Sequence, residues 1–169
     1  MQLDIKEQSL ILEGKKYSRK ELMSLSANAT GDNTSSFLLD LYRFLADWFS
    51  DSPFMTVHTS GSTGTPKVLT VRKEQMMQSA RMTCEFLNLH TGDTALLCMP
   101  LQYIAGKMMV VRALVAGLNL ILRTPSGHPL ADVTVPLRFV AMVPLQVFNT
   151  LQVLREKERL CHTDILIIG

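Results

Sequence analysis

With 169 residues, 47% of them hydrophobic and 19% charged, the chain has the apolar supply for a core and is neither disordered nor fibrous in composition. A net charge of +2, without any long block of like charges, leaves non-specific nucleic-acid binding with little electrostatic support. The most apolar run, 108–122, falls short of the roughly 20 residues that a bilayer span needs, and Arg112 and Asn119 interrupt it.

In chain order, 10–12 reads as a short strand turned by Gly14. Ser18-Arg19-Lys20-Glu21 has capping-box spacing and predicts a helix through Leu25. The stretch 26–36, rich in Asn, Thr, Ser and Gly, reads as a loop. Phe37, Leu38, Leu41, Phe44, Leu45, Trp48 and Phe49 recur at helical spacing and mark an amphipathic helix with a core stripe. Next come a strand at 54–59, a polar Gly-rich loop and a second strand at 68–71. A helix at 73–89 presents Met76, Met77, Ala80, Cys84 and Leu87 on one face, with Arg72 and Lys73 read as its solvated start. Thr91-Gly92-Asp93 is a turn, 94–99 a strand ended by Pro100, 104–116 a mostly apolar helix, and 118–122 a strand. Pro125, Gly127 and Pro129 mark 123–132 as a loop. A strand follows at 138–143, then a helix opened by Pro144 and running to about Glu158, then a buried strand at 164–168.

Apolar strands alternating with helices predict a layered α/β fold: a largely parallel sheet with covering helices. A core strand at 164–168 with no helix after it suggests an incomplete N-terminal part of a larger fold. The expected organisation is a helical and strand segment over 1–53 and the N-terminal portion of a truncated larger domain over 54–169. Such a piece, with an open edge strand, is expected to self-associate as a homo-oligomer. Cys84, Cys98 and Cys161 are odd in number and lack C-x-x-C spacing, so they read as buried free thiols of a reducing cytosol. The first seven residues lack an apolar signal core, and a cytoplasmic location is expected. His58, His90, His128 and His162 are scattered without ligand spacing, so no metal held by protein side chains is expected.

The segment that carries chemistry is Thr59-Ser60-Gly61-Ser62-Thr63-Gly64-Thr65-Pro66-Lys67. Gly61 and Gly64 let successive backbone N–H groups converge on an anion, the hydroxyls can donate to phosphate oxygens, and Lys67 adds a point charge. The spacing is not that of a Walker loop, because Lys67 follows Pro66 and precedes Val68. It is not a dinucleotide fingerprint or a nucleophile elbow either. On composition alone, a polar turn and a triphosphate cradle both remain open.

The string T-S-G-S-T-G-x-P-K resembles the phosphate-loop signature of the adenylate-forming (AMP-binding) superfamily. Thr91-Gly92-Asp93 with Pro100-Leu101 resembles that family's T-G-D…P-L-x-H stretch, with Tyr103 standing where many members have His. Val143-Pro144-Leu145-Gln146 and the run 100–117 resemble the o-succinylbenzoate–CoA ligase branch of menaquinone biosynthesis. The resemblance covers 54–169. It implies ATP-dependent activation of a carboxylic acid through an acyl-adenylate, followed by transfer to CoA. Other aryl- or acyl-CoA ligases and carrier-protein adenylation enzymes fit the same motif, and so does a non-catalytic truncated nucleotide-binding or interaction module.

The resemblance further implies that Thr59, Ser60, Gly61, Ser62, Thr63, Gly64, Thr65 and Lys67 hold ATP, with Lys67 acting in catalysis. Magnesium (Mg2+) would come with the nucleotide, within reach of Thr59 or Thr63. Gln102, Tyr103, Ala105, Gly106 and Lys107 would line the acid pocket, with Tyr103 against the ring and Ala105 and Gly106 leaving room. The partners implied are a small carboxylic acid, ATP and CoA, with no nucleic acid or membrane. The family's later adenine, ribose and AMP segments and its C-terminal lysine are not among these residues. Lys107 and Arg112 interrupt an apolar helix. They read either as counter-charges for a dicarboxylate substrate or as cations snorkelling to the surface.

Overall fold

The computed structural model describes residues 4–29, 35–59 and 67–169. Along β1 (Ser9–Leu12) side chains alternate, with Leu10 and Leu12 turned into the core. Glu13 and Gly14, both at positive φ, turn the chain back into β2 (Lys15–Ser18), antiparallel to β1. β2 is absent from the sequence expectation because Lys-Lys-Tyr-Ser has no apolar alternation. Backbone pairing to β1, not a buried face, makes it a strand.

Ser18 caps α1 (Arg19–Asn28) reciprocally, as its spacing predicts. Glu21 N donates to Ser18 Oγ at 3.4 Å, and Ser18 N donates to Glu21 Oε2 at 2.8 Å. α2 (Ser36–Phe49) buries the expected stripe, and Trp48 Nε1 donates to Gln8 Oε1 at 2.8 Å, which satisfies the buried indole. β3 (Phe54–His58) and β4 (Val68–Arg72) form a separate antiparallel pair.

α3 (Lys73–Phe86) stops sooner than its apolar face suggests. Asn88 takes a left-handed φ of 51°, and Leu89 N closes back on Cys84 O at 2.9 Å. β5 (Thr94–Leu97), α4 (Ile104–Ala116) and β6 (Asn119–Leu122) make a parallel crossover unit, with α4 ending on left-handed Gly117. β7 (Phe139–Met142), α5 (Pro144–Gln152), α6 (Leu154–Cys161) and β8 (Ile165–Ile168) make another.

The six-stranded sheet runs β2-β1-β6-β5-β7-β8, parallel everywhere except between β1 and β2. It is a mixed α/β architecture with a largely parallel sheet. Its central strands β6, β5 and β7 are apolar on both faces. Leu97, Leu120 and Phe139 join the large cluster under α2, α3 and α4, while Leu96, Ile121 and Val140 face the second cluster with Leu130, Val133 and Leu137.

The structure departs from three further expectations. The helix expected over 144–158 is two helices, because Val153 takes an extended conformation (φ −111°, ψ 114°). The break lets α6 turn Glu156 inward, where Oε1 meets His128 Nδ1 at 2.9 Å, and lets Arg159 donate to Leu130 O at 2.6 Å. Lys73 is not solvated: it is 2% exposed, and its Nζ donates to Ser50 O at 2.9 Å and Ser50 Oγ at 3.2 Å. With Arg19 Nη2 donating to Phe49 O at 3.1 Å, two cations meet the unsatisfied carbonyl end of α2. Burial holds the Lys73 pKa below the usual lysine range. Finally, Cys84 and Cys98 are buried as expected, with the Cys98 thiol pushed up to about 12, but Cys161 is exposed on α6. Among the described residues no helix is long and apolar enough to cross a membrane.

Candidate nucleotide and acid site

β3 and β4 pair from Phe54 opposite Arg72 to His58 opposite Val68. Their ladder gains one further step at the mouth of the Gly-rich segment. Thr59 N donates to Lys67 O at 3.1 Å, and Lys67 N donates to Thr59 Oγ1 at 3.2 Å. Thr59 therefore anchors the segment's base through both backbone and hydroxyl. Lys67 is exposed, held by its backbone with its side chain in the open. The other predicted cradle residues, Ser60, Gly61, Ser62, Thr63, Gly64 and Thr65, lie outside the described residues.

The second predicted cluster stands against this hairpin. Tyr103 is the N-cap of α4, in an extended conformation, and forms a parallel backbone bridge with His58. From the first turn of α4, Lys107 Nζ reaches across to donate to Thr56 O on β3 at 2.6 Å. Burial lowers the pKa of this ammonium. Lys107 thus fastens α4 to the hairpin, where the sequence left it either as a counter-charge for a substrate carboxylate or as a cation snorkelling to the surface.

Gly106 also has a different job from the one expected. A Cβ there would stand 2.4 Å from Pro100 O and 2.9 Å from Met99 O. Its missing side chain makes room for the backbone that follows β5, not for a ligand. Gln102 and Ala105 are exposed.

Beside α4 lies a cavity of about 250 Å³, lined by Met99, Ile104, Ala105, Met108, Met142 and Arg112 among others. It opens outside the carboxyl ends of β5, β7 and β8, where open parallel sheets take their ligands. Of the five residues predicted for an acid pocket, Ala105 lines this cavity, while Gln102, Tyr103, Gly106 and Lys107 are outside its lining, with Tyr103 at the start of the same helix. Met99 and Met142 escaped the sequence reading, since a methionine in an apolar run carries no signal that separates lining from core. A larger groove of about 540 Å³ lies behind the buried Lys73 and includes none of the predicted site residues.

Two quoted motifs hold this frame. Asp93 Oδ2 accepts from His90 N at 2.8 Å, and Thr91 Oγ1 donates to Ala116 O at 3.0 Å, so the Thr-Gly-Asp turn locks the start of β5 to the end of α4. Gln146 is buried: Oε1 accepts from Val143 N at 3.1 Å, and Nε2 donates to Cys98 O at 3.1 Å and Ser126 O at 2.9 Å. One amide thereby ties the ends of β5 and β7 to the loop between β6 and β7.

The family model described as AMP-binding enzyme matches residues 3–158. A 2-succinylbenzoate–CoA ligase of Haemophilus influenzae is 29% identical over 118 residues, which are 70% of this chain and 25% of that protein. Among solved structures, an acyl-CoA synthetase (AMP-forming)/AMP-acid ligase II-like protein from Dyadobacter fermentans is similar with a TM-score of 0.74 at 33% identity. That match covers 87% of this chain and 42% of the other. An o-succinylbenzoate CoA synthetase from Bacillus subtilis, in complex with its acyl-adenylate intermediate, shares the fold with a TM-score of 0.54 at 19% identity, over 68% of this chain and 30% of its own. The chain thus spans about a quarter of the length of its curated relative and less than half of these structural neighbours.

Proposed function

Because the chain belongs to the AMP-binding enzyme family, we propose that it supplies the phosphate-loop part of an ATP-dependent acid–CoA ligase whose acid is o-succinylbenzoate. The observation that carries this reading is the joining of the two motif segments. The hairpin that closes through Thr59 and Lys67 is bridged at His58 to Tyr103 and tied at Thr56 to Lys107. A nucleotide held at the hairpin mouth would meet an acid lying along the start of α4.

In the first reaction a carboxylate oxygen bonds to the α-phosphorus of ATP as the bond to pyrophosphate breaks. The residues Thr59, Ser60, Gly61, Ser62, Thr63, Gly64, Thr65 and Lys67 would hold the β- and γ-phosphates and stabilise the charge that develops on the departing pyrophosphate. Magnesium would come with the nucleotide, within reach of Thr59 or Thr63, and would supply further neutralisation of that charge. In the second reaction the CoA thiol sulfur bonds to the acyl carbon and AMP leaves. Gln102, Tyr103 and Ala105 would border the acid, while Gly106 and Lys107 set the position of α4 beside it. The location is the cytoplasm, where ATP and CoA are found together. The proposed division is 1–53 as an N-terminal segment and 54–169 as the N-terminal portion of the AMP-binding domain, with the family match beginning already at residue 3. The similarity to the Dyadobacter acyl-CoA synthetase/AMP-acid ligase II-like protein supports a second reading, another aryl or acyl acid as substrate.

Replacing Tyr103 by alanine in the ligase that carries this chain is expected to raise the KM for o-succinylbenzoate about tenfold while the KM for ATP stays within about twofold. Benzoate serves as the comparison acid. If benzoate or a fatty acid is activated as efficiently as o-succinylbenzoate, the substrate assignment fails and the general acid–CoA ligase reading stands.

A further inference from the structure

Arg112 is an unneutralised cation in an apolar setting. It lies on α4 one turn beyond Met108 and lines the cavity at the ends of β5, β7 and β8. Its Nε is buried and has no hydrogen-bond partner among the described residues. Its Nη1 has Met109 Sδ at 3.7 Å, and a thioether is a weak acceptor. No carboxylate among the described residues comes within ion-pair distance of it. The other arginines with buried Nε atoms differ from it. Arg19 is spent on the α2 carbonyl end, and Arg123 is paired with Glu13 at 3.4 Å. A guanidinium partly withdrawn from water without an anion is unfavourable, and burial accordingly lowers the Arg112 pKa.

The geometry points to Arg112 as the counter-charge for a second carboxylate on the acid substrate, so that the cavity selects an aromatic dicarboxylic acid over a monocarboxylic one. The inference deepens the ligase reading and rests on it for the direction in which the acid enters. The reacting carboxylate must lie near the hairpin mouth, beside Tyr103 at the start of α4. Arg112 stands nine residues further along, roughly 13 Å up the helix axis, and a helical side chain leans back toward the N-terminus. Its guanidinium is thereby drawn toward the wall formed by Ile104, Ala105 and Met108. An aromatic body would rest against Met99, Met108 and Met142, with sulfur contacts to the ring. The distal carboxylate would accept from Nε and one Nη together, the two-point geometry that arginine offers and lysine does not.

The test uses the whole protein that carries this chain, without ATP, so it does not depend on catalysis. The Nε–Hε cross-peak of Arg112, assigned by its loss in Arg112→Lys, is followed in a ¹⁵N-labelled sample. The probes are o-succinylbenzoate and 3-benzoylpropionate, which is the same molecule without the ring carboxylate. The expected result is a saturable shift with o-succinylbenzoate, at an affinity about tenfold or more above that for 3-benzoylpropionate. Arg112→Met, which lacks the cross-peak and is therefore followed with both acids by titration calorimetry, as is Arg112→Lys, should bind the two acids equally. If that variant fails to fold by circular dichroism, Arg112→Lys should show the preference reduced to about threefold or less. Equal affinity of the unaltered protein for both acids, no shift with either, or an undiminished preference in the Arg112 variant would overturn the inference. Failure of the ligase reading is a separate outcome, seen as the absence of acid-dependent pyrophosphate exchange.

Discussion

Replacing Lys67 by alanine in the protein that carries this chain is expected to slow acyl-adenylate formation by about 10²–10³-fold. Thioester formation from supplied acyl-adenylate should stay within about threefold. The separation of the two half-reactions follows from where Lys67 stands. Its amide donates to Thr59 Oγ1 and its carbonyl accepts from Thr59 N, both through atoms that alanine keeps. The hairpin therefore closes in the variant as in the parent, and only the exposed ammonium is lost. On the proposed reading that charge would face the phosphates that depart in the first reaction and would have no counterpart to stabilise in the second. Rapid-quench measurement of each half-reaction separates the cases. Equal losses in both would mean that Lys67 shapes the site instead of stabilising the leaving group.

Gly106→Ala is expected to destabilise the fold by about 3 kcal/mol, which for a domain of this size lowers Tm by roughly 6–12 °C. The sign is the informative part. In an unobstructed helix the same change gains about 0.5–1 kcal/mol, because alanine has less backbone freedom to lose. Here the new methyl would sit 2.4 Å from Pro100 O and 2.9 Å from Met99 O, both backbone atoms that cannot swing aside. α4 would have to lift from the end of β5. The bridge from Tyr103 to His58 and the Lys107 bond to Thr56 depend on that placement. Thermal unfolding followed by circular dichroism reads the effect. An unchanged or raised Tm would show that the helix has slack the close approach does not reveal.

Local signals were legible in the sequence wherever one segment carries its own cause. The α2 stripe, the Ser18–Glu21 box and the Thr-Gly-Asp turn all formed as their spacing predicts. What escaped depends on partners distant in the chain. Lys73 reads as a solvated cation until the carbonyl end of α2 is placed 23 residues upstream of it. β2 has no pattern of its own and exists through β1. Nothing in the run through Val153 announces a break, since no glycine or proline stands there; the inward pull on Glu156 and Arg159 comes from 128–131.

The candidate site divides in the same way. The Gly-rich string and the run from Gln102 to Lys107 were visible as motifs, and the contact of that run with β3 at His58 and Thr56 follows once β3 and α4 are placed. The roles of Gly106 and Lys107 were not visible, because each is set by backbone atoms elsewhere: Pro100 and Met99 for the glycine, Thr56 for the lysine. Arg112 drew notice as a charge in an apolar helix. That no carboxylate among the described residues pairs with it emerges only when its surroundings are assembled.

The measurement that bears most directly on the central claim is isotope exchange between pyrophosphate and ATP, catalysed by the whole protein to which this chain belongs. Carboxylic acids are added one at a time and CoA is left out. An acid–CoA ligase of this family forms its acyl-adenylate reversibly without the thiol. The account therefore predicts exchange that is absent without acid, strong with o-succinylbenzoate, and cut by about 10²-fold or more in Lys67→Ala. Exchange that no carboxylic acid supports, or that proceeds unchanged without Lys67, would contradict it.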